Sequence, residues 1–110
     1  MPTYTFAVWA PDYTDPDALN RRLSVRLKHF ENAKPLIDKG VMRLGGALLD
    51  PSSTEKKMIG SVVVYEVESL EACRKIVEED IYYTAGVWDK EKLVILPWIS
   101  AAPLPPMHLD

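Results

Sequence analysis

The sequence predicts an α+β fold of ferredoxin-like type: one four-stranded antiparallel sheet with two helices on one of its faces. Three observations carry that prediction. Stretches rich in β-branched and aromatic residues alternate with stretches of helical periodicity in the order β-α-β-β-α-β. No linker or repeat divides the 110 residues, so residues 1–100 form one domain and the proline-rich residues 101–110 an extended tail. The strands are apolar where a half-solvated sheet would alternate, as in Val62-Val63-Val64-Tyr65 and Leu93-Val94-Ile95-Leu96. Two short helices cover only one face of such a sheet. A second copy of the chain is the simplest cover for the other, so a homodimer with its sheets face to face is expected, or a higher homo-oligomer.

Each element has a local reason. Residues 3–10 (TYTFAVWA) read as a strand, stopped by Pro11-Asp12. Asp15-Pro16-Asp17 reads as a helix start, with an acid to cap, proline at the first helical position and a second acid favoured by the dipole. The helical pattern runs over residues 16–39 and Gly40 ends it, while Pro35 should bend or break the last turn. Residues 41–49 form a second strand. Its Gly45-Gly46 pair marks either a bulge or a place where something approaches the backbone closely. After the polar loop 50–57 comes a third strand over 58–67. Ser69 caps a helix over 70–79 whose apolar face is Leu70, Cys73, Ile76 and Val77. Residues 80–86 are an aromatic connection, and residues 91–98 form the last strand.

Composition narrows the function. Thirteen basic residues against sixteen acidic ones, with net charge −3 and no basic run, argue against nucleic-acid or anionic-membrane binding. No apolar run approaches the roughly 20 residues of a membrane span, and the N-terminus lacks the pattern of a secretory signal. The lone Cys73 excludes an internal disulfide, so the expected location is the cytoplasm. His29, His108 and Cys73 have no metal-ligand spacing, and no phosphate-binding loop is present, so neither metal nor cofactor is expected. Cys73 lies in an apolar stripe, which favours burial over nucleophilic catalysis.

The first helix carries the candidate chemistry. On a helical wheel Leu19, Leu23, Leu27, Phe30 and Ile37 share one side, expected to face the core. Arg22, Arg26 and His29 sit together on its flank with Ala33. One reading is structural: arginine stems cover apolar surface and His29 borders the core. The other is a small-molecule site in which the arginines meet an anion and a carboxylate orients the imidazole.

The segments RLSVRLKHF (22–30), Gly40, Gly60-Ser61, ESLEAC (68–73) and EDIYYTAGV (79–87) resemble the YciI-like, or YCII-related, family over residues 3–98. That resemblance implies a dimeric α+β barrel built from ferredoxin-like protomers. It further implies that His29 faces Asp80 as an acid–base pair, with Tyr82 at the tyrosine of the family's Asp-Pro-Tyr segment. Ile81 replaces the proline there, so the turn presenting Asp80 lacks the family's rigid residue.

Arg26, with Arg22, is the candidate holder of an anionic or enolate oxygen. Ser61 is a candidate for a hydroxyl or backbone donor, its alternative being an ordinary serine at the start of a strand. Trp9, Tyr65, Tyr82 and Trp88 are candidates to wall a pocket for a planar substrate, with core packing as the alternative for each. The expected activity is cofactor-independent proton transfer on a small aromatic or enolic metabolite, of lyase, isomerase, cyclase or dehalogenase type. The alternatives are a non-catalytic ligand-binding module on the same barrel, or an accessory domain that docks on an enzyme through the Pro-Leu-Pro-Pro run at 103–106.

Overall fold

The computed structural model describes residues 2–104; His108 and the second half of the Pro-Leu-Pro-Pro run lie outside them. The elements are β1 (Tyr4–Pro11), α1 (Ala18–Asp38), β2 (Met42–Leu49), β3 (Met58–Val67), α2 (Leu70–Glu79), α3 (Ile81–Thr84) and β4 (Val94–Pro97). The strands form one antiparallel sheet in the order β2-β3-β1-β4. This is the ferredoxin-like fold, its two central strands being the first and third in sequence.

Period-two alternation sorts the sheet's faces. Phe6, Val8 and Ala10 of β1 stand opposite Tyr65, Val63 and Ser61 of β3, and Ile95 stands opposite Val8. All are buried, and the apolar ones join Ala33, Cys73 and Val77 of the helices in one core. The other face carries Trp9, Leu44, Val94 and Leu96, each between 43% and 59% exposed. An uncovered apolar face of this kind is what the strand composition implies.

The first helix departs from its sequence reading in three ways. It starts at Ala18, two residues late: the Asp15 carboxylate accepts from both terminal guanidinium nitrogens of Arg21 (2.7 and 2.8 Å) as well as from the Asp17 N–H (3.2 Å). That exchange holds the Asp15 carboxyl down at about 2. Pro35 does not stop the helix: α1 runs on to Asp38, and Gly40, at φ 74°, closes it with Gly40 N–H on Ile37 O and Val41 N–H on Leu36 O.

The third departure is rotational. Leu23 and Leu27 face outward, Leu27 at 79% exposure, and Phe30 and Ile37 are exposed at the edge of an open cavity, while Ala18, Arg22, Val25, His29, Ala33 and Leu36 turn inward. Spacing grouped the leucines correctly but assigned them the wrong direction. The rotation that buries the leucines would pull Arg22 and His29 from carboxylate partners on other elements, and buried charge without a partner costs more than exposed leucine.

Smaller departures have simple causes. The Gly45-Gly46 pair holds regular register opposite Val63 and Val62, and the irregularities lie between Met42 and Leu44 and between Leu48 and Leu49. β4 begins three residues late because Lys92 and Leu93 N–H donate to Asp89 O, holding that stretch in a turn. The aromatic connection contains α3. In α2, Cys73 and Val77 are buried and Ile76 packs on the core, but Leu70 is largely exposed.

Candidate active site

α1 and the α2–α3 junction meet over a chain separation of 51 residues, where His29 Nδ1 lies 3.1 Å from Asp80 Oδ1. Asp80 ends α2 and caps α3, and the same Oδ1 accepts the Tyr82 N–H at 2.8 Å. That cap aims the carboxylate. It supplies through a hydrogen bond the stiffness that the missing proline at Ile81 would have given. With Asp80 ionised, the contact is satisfied by the imidazole tautomer protonated at Nδ1, leaving Nε2 with its lone pair. Both side chains are mostly buried, at 14% and 9% exposure.

Tyr82 completes the support. Its ring stacks on the imidazole, with centroids 4.0 Å apart and planes 15° from parallel. The Arg22 guanidinium lies 4.5 Å from the same ring. Arg22 and His29 stand two turns apart on α1, about 10.5 Å along the axis, and the phenol ring contacts both. Burial pushes the Tyr82 hydroxyl above its ordinary range, against the pull of Arg22 and Arg26.

Arg22 is not available to a substrate carboxylate. It is 2% exposed; Nη1 meets both oxygens of Asp12 at 2.8 and 3.0 Å, and Nη2 donates to Ser61 Oγ at 2.8 Å. Trp88 Nε1 donates to the same hydroxyl at 3.2 Å. Ser61 therefore serves as a junction for two buried donors. Burial raises the Asp12 carboxyl above its ordinary range while the guanidinium pulls it down. Asp12 is the residue that sequence reasoning missed: Pro11-Asp12 reads as a strand stop, and nothing local ties it to an arginine ten positions on.

A cavity of about 500 Å³ opens between α1 and the β2–β3 side of the sheet. Arg22, Arg26, His29, Ser61 and Tyr82 reach it, and Phe30, Met42 and Val63 contribute its apolar surface. Arg26 is the exposed cation here; its guanidinium lies 5.1 Å from the Phe30 ring centroid. Arg43, also at the cavity, is ion-paired with Glu66.

Three expected wall residues lie elsewhere. Trp88 is fully buried and does not line the cavity, because its indole N–H is committed to Ser61. Trp9 points to the uncovered sheet face, and Tyr65 is buried in the core. Burial pushes the Cys73 thiol up to about 11, so it stays protonated. Among the described residues no three His, Cys, Asp or Glu gather as metal ligands, and no helix is long and apolar enough to cross a membrane.

Known proteins resemble this chain in sequence or in fold. "Fusaric acid biosynthesis protein 2" of Gibberella fujikuroi is 34% identical over 98 residues, 86% of this chain and 92% of that protein. "Protein YciI" of Escherichia coli O6:H1 is 33% identical, over 76% of this chain and 87% of that one. Among solved structures, 5-chloro-2-hydroxyhydroquinone dehydrochlorinase from Burkholderia phenoliruptrix AC1100, in complex with 2,5-dihydroxybenzoquinone, superposes with a TM-score of 0.72 at 26% identity. It covers 86% of this chain and 93% of its own. The YCII-related domain model matches residues 6–99, a span that holds α1, its histidine and the aspartate after α2, and the chain belongs to that family.

Proposed function

We propose that the protein is a cofactor-independent enzyme that moves a proton on a small, flat, oxygenated ring, with His29 as general acid/base and Asp80 as its orienting partner. The observation that carries this reading is the His29 Nδ1–Asp80 Oδ1 contact beside a cavity lined by His29. A carboxylate on Nδ1 makes Nε2 the proton-exchanging nitrogen and stabilises the imidazolium once it forms. Arg26, which has no carboxylate partner among the described residues, holds the anionic oxygen of the substrate. Tyr82 fixes the plane of the imidazole. Arg22 and Ser61, assigned to substrate from sequence, reach the cavity but are committed to Asp12, Trp88 and each other, and so fix its wall.

An elimination of the dehydrochlorinase type fits this inventory, because it needs a base for a proton and a cation for the developing oxyanion. Chlorinated hydroquinones and 2,5-dihydroxybenzoquinone are therefore the first compounds to screen. The ground-state test needs no substrate. In the ¹⁵N NMR spectrum of the imidazole, His29 should show a predominantly Nδ1-protonated tautomer, and Asp80→Ala should shift it toward the Nε2-protonated form. An unchanged tautomer would remove Asp80 from the mechanism. Binding of ring compounds without conversion of any of them would leave a ligand-binding module in place of an enzyme.

The working form in this proposal is a homodimer joined through the sheet face of Trp9, Leu44, Val94 and Leu96. Leu96→Glu places a charge at its centre and should give monomers by sedimentation velocity; an unchanged sedimentation coefficient would move the interface elsewhere.

A further inference from the structure

We infer that Gly45 is a specificity-determining residue: its missing side chain leaves bare backbone as the cavity floor, against which a flat ring lies. The inference rests on the cavity being a substrate site, as proposed above, and adds what shape of substrate it takes.

A glycine inside a strand is unfavourable in entropy and packs nothing, so its presence needs a reason. Three ordinary reasons fail here. The backbone does not demand it, since only Gly40 and Gly86 among the described glycines have positive φ. No bulge demands it, because Gly45 pairs in register with Val63. Crowding does not demand it either. A Cβ built on Gly45 would meet Met42 Sδ at 3.4 Å and Val63 Cγ1 at 3.9 Å, both near van der Waals contact. Gly60 shows the contrast: a Cβ there would lie 2.9 Å from Ala10 O and 3.1 Å from Pro11 Cα, so neighbouring backbone forbids it.

Met42 and Val63 both line the cavity, so the Cβ of any residue at 45 would enter the cavity beside them. Across the opening, His29, Phe30 and Arg26 come from α1. A ring lying on the Gly45 peptide would present one edge to His29 and an anionic substituent to Arg26. A methyl group at 45 lifts the ring from the floor, and an isopropyl group fills the slot.

The experiment uses two flat anions of different size, 4-hydroxybenzoate and 6-hydroxy-2-naphthoate, titrated by calorimetry against the unmodified protein, Gly45→Ala and Gly45→Val. Thermal unfolding is followed on the same samples. The unmodified protein should bind both. Gly45→Ala should weaken the naphthoate more than the benzoate, and Gly45→Val should weaken both by about tenfold or more, while the unfolding temperature holds or rises. Equal binding by all three proteins would overturn the inference and leave the His29–Asp80 proposal standing. So would a lower unfolding temperature, which would make the glycine structural, or no binding of either probe by the unmodified protein. Turnover lost in His29→Ala and probe affinity lost at Gly45 report on separate claims.

Discussion

Replacing His29 by alanine is expected to lower turnover by on the order of 10²–10⁴-fold, the usual contribution of a positioned general acid/base. The structural cost should be modest. The imidazole gives up one ring stack and one contact to Asp80, together about 1–2 kcal/mol. His29→Gln sharpens the measurement, because its amide can still donate to Asp80 but cannot shuttle a proton. Near-normal kcat in the glutamine variant would mean that His29 positions substrate without exchanging protons. Equal loss in both variants, with KM little changed, is the signature of an interaction used in the transition state. The assay is the release of chloride or the visible absorbance of a quinone product across the screened hydroquinones.

The architecture was legible in the sequence because it depends on short-range rules. Strand composition, the Ser69 cap and Gly40 each act within a few residues, and β3 and α2 fall on the residues those rules select. The uncovered apolar face followed from counting what two helices can hide. The site was half legible. Spacing grouped Arg22, Arg26 and His29, and family resemblance supplied Asp80, but spacing alone cannot say which way a helix rolls. The roll of α1 is decided by Asp12, Ser61 and Asp80 on other elements, and no local pattern encodes those meetings. Hydrophobicity predicted that Leu27 would be inside with Arg22 on the flank; the ion pair to Asp12 turned Arg22 inward and Leu27 out. Trp88 was misplaced for the same reason, since an indole with a buried hydroxyl partner behaves as part of the core.

That ion pair sets the other large expected effect. Arg22→Met removes a guanidinium that makes two bonds to Asp12 and one to Ser61, at a position 2% exposed. It leaves Asp12, itself buried, without its counter-charge, and breaking such a pair costs about 3–5 kcal/mol. The loss should also depend on pH in a direction fixed by Asp12. Burial already raises that carboxyl, and Arg22 opposes the rise. Without Arg22 the folded state holds the Asp12 proton more tightly than the unfolded chain, whose value stays near 3.8. The folded form then carries more protons through the window above that value, so its stability falls as pH rises and recovers on acidification. Thermal unfolding of Arg22→Met from pH 7 down to pH 5 should therefore show a rising midpoint relative to the unmodified protein over the same range. The double variant Asp12→Leu/Arg22→Met should recover much of the loss at neutral pH, because it removes both charges together. If Arg22→Met unfolds at the same temperature as the unmodified protein, or if the double variant is no better than the single one, the pair does not fix the roll of α1. The position of His29 against Asp80 would then need another cause.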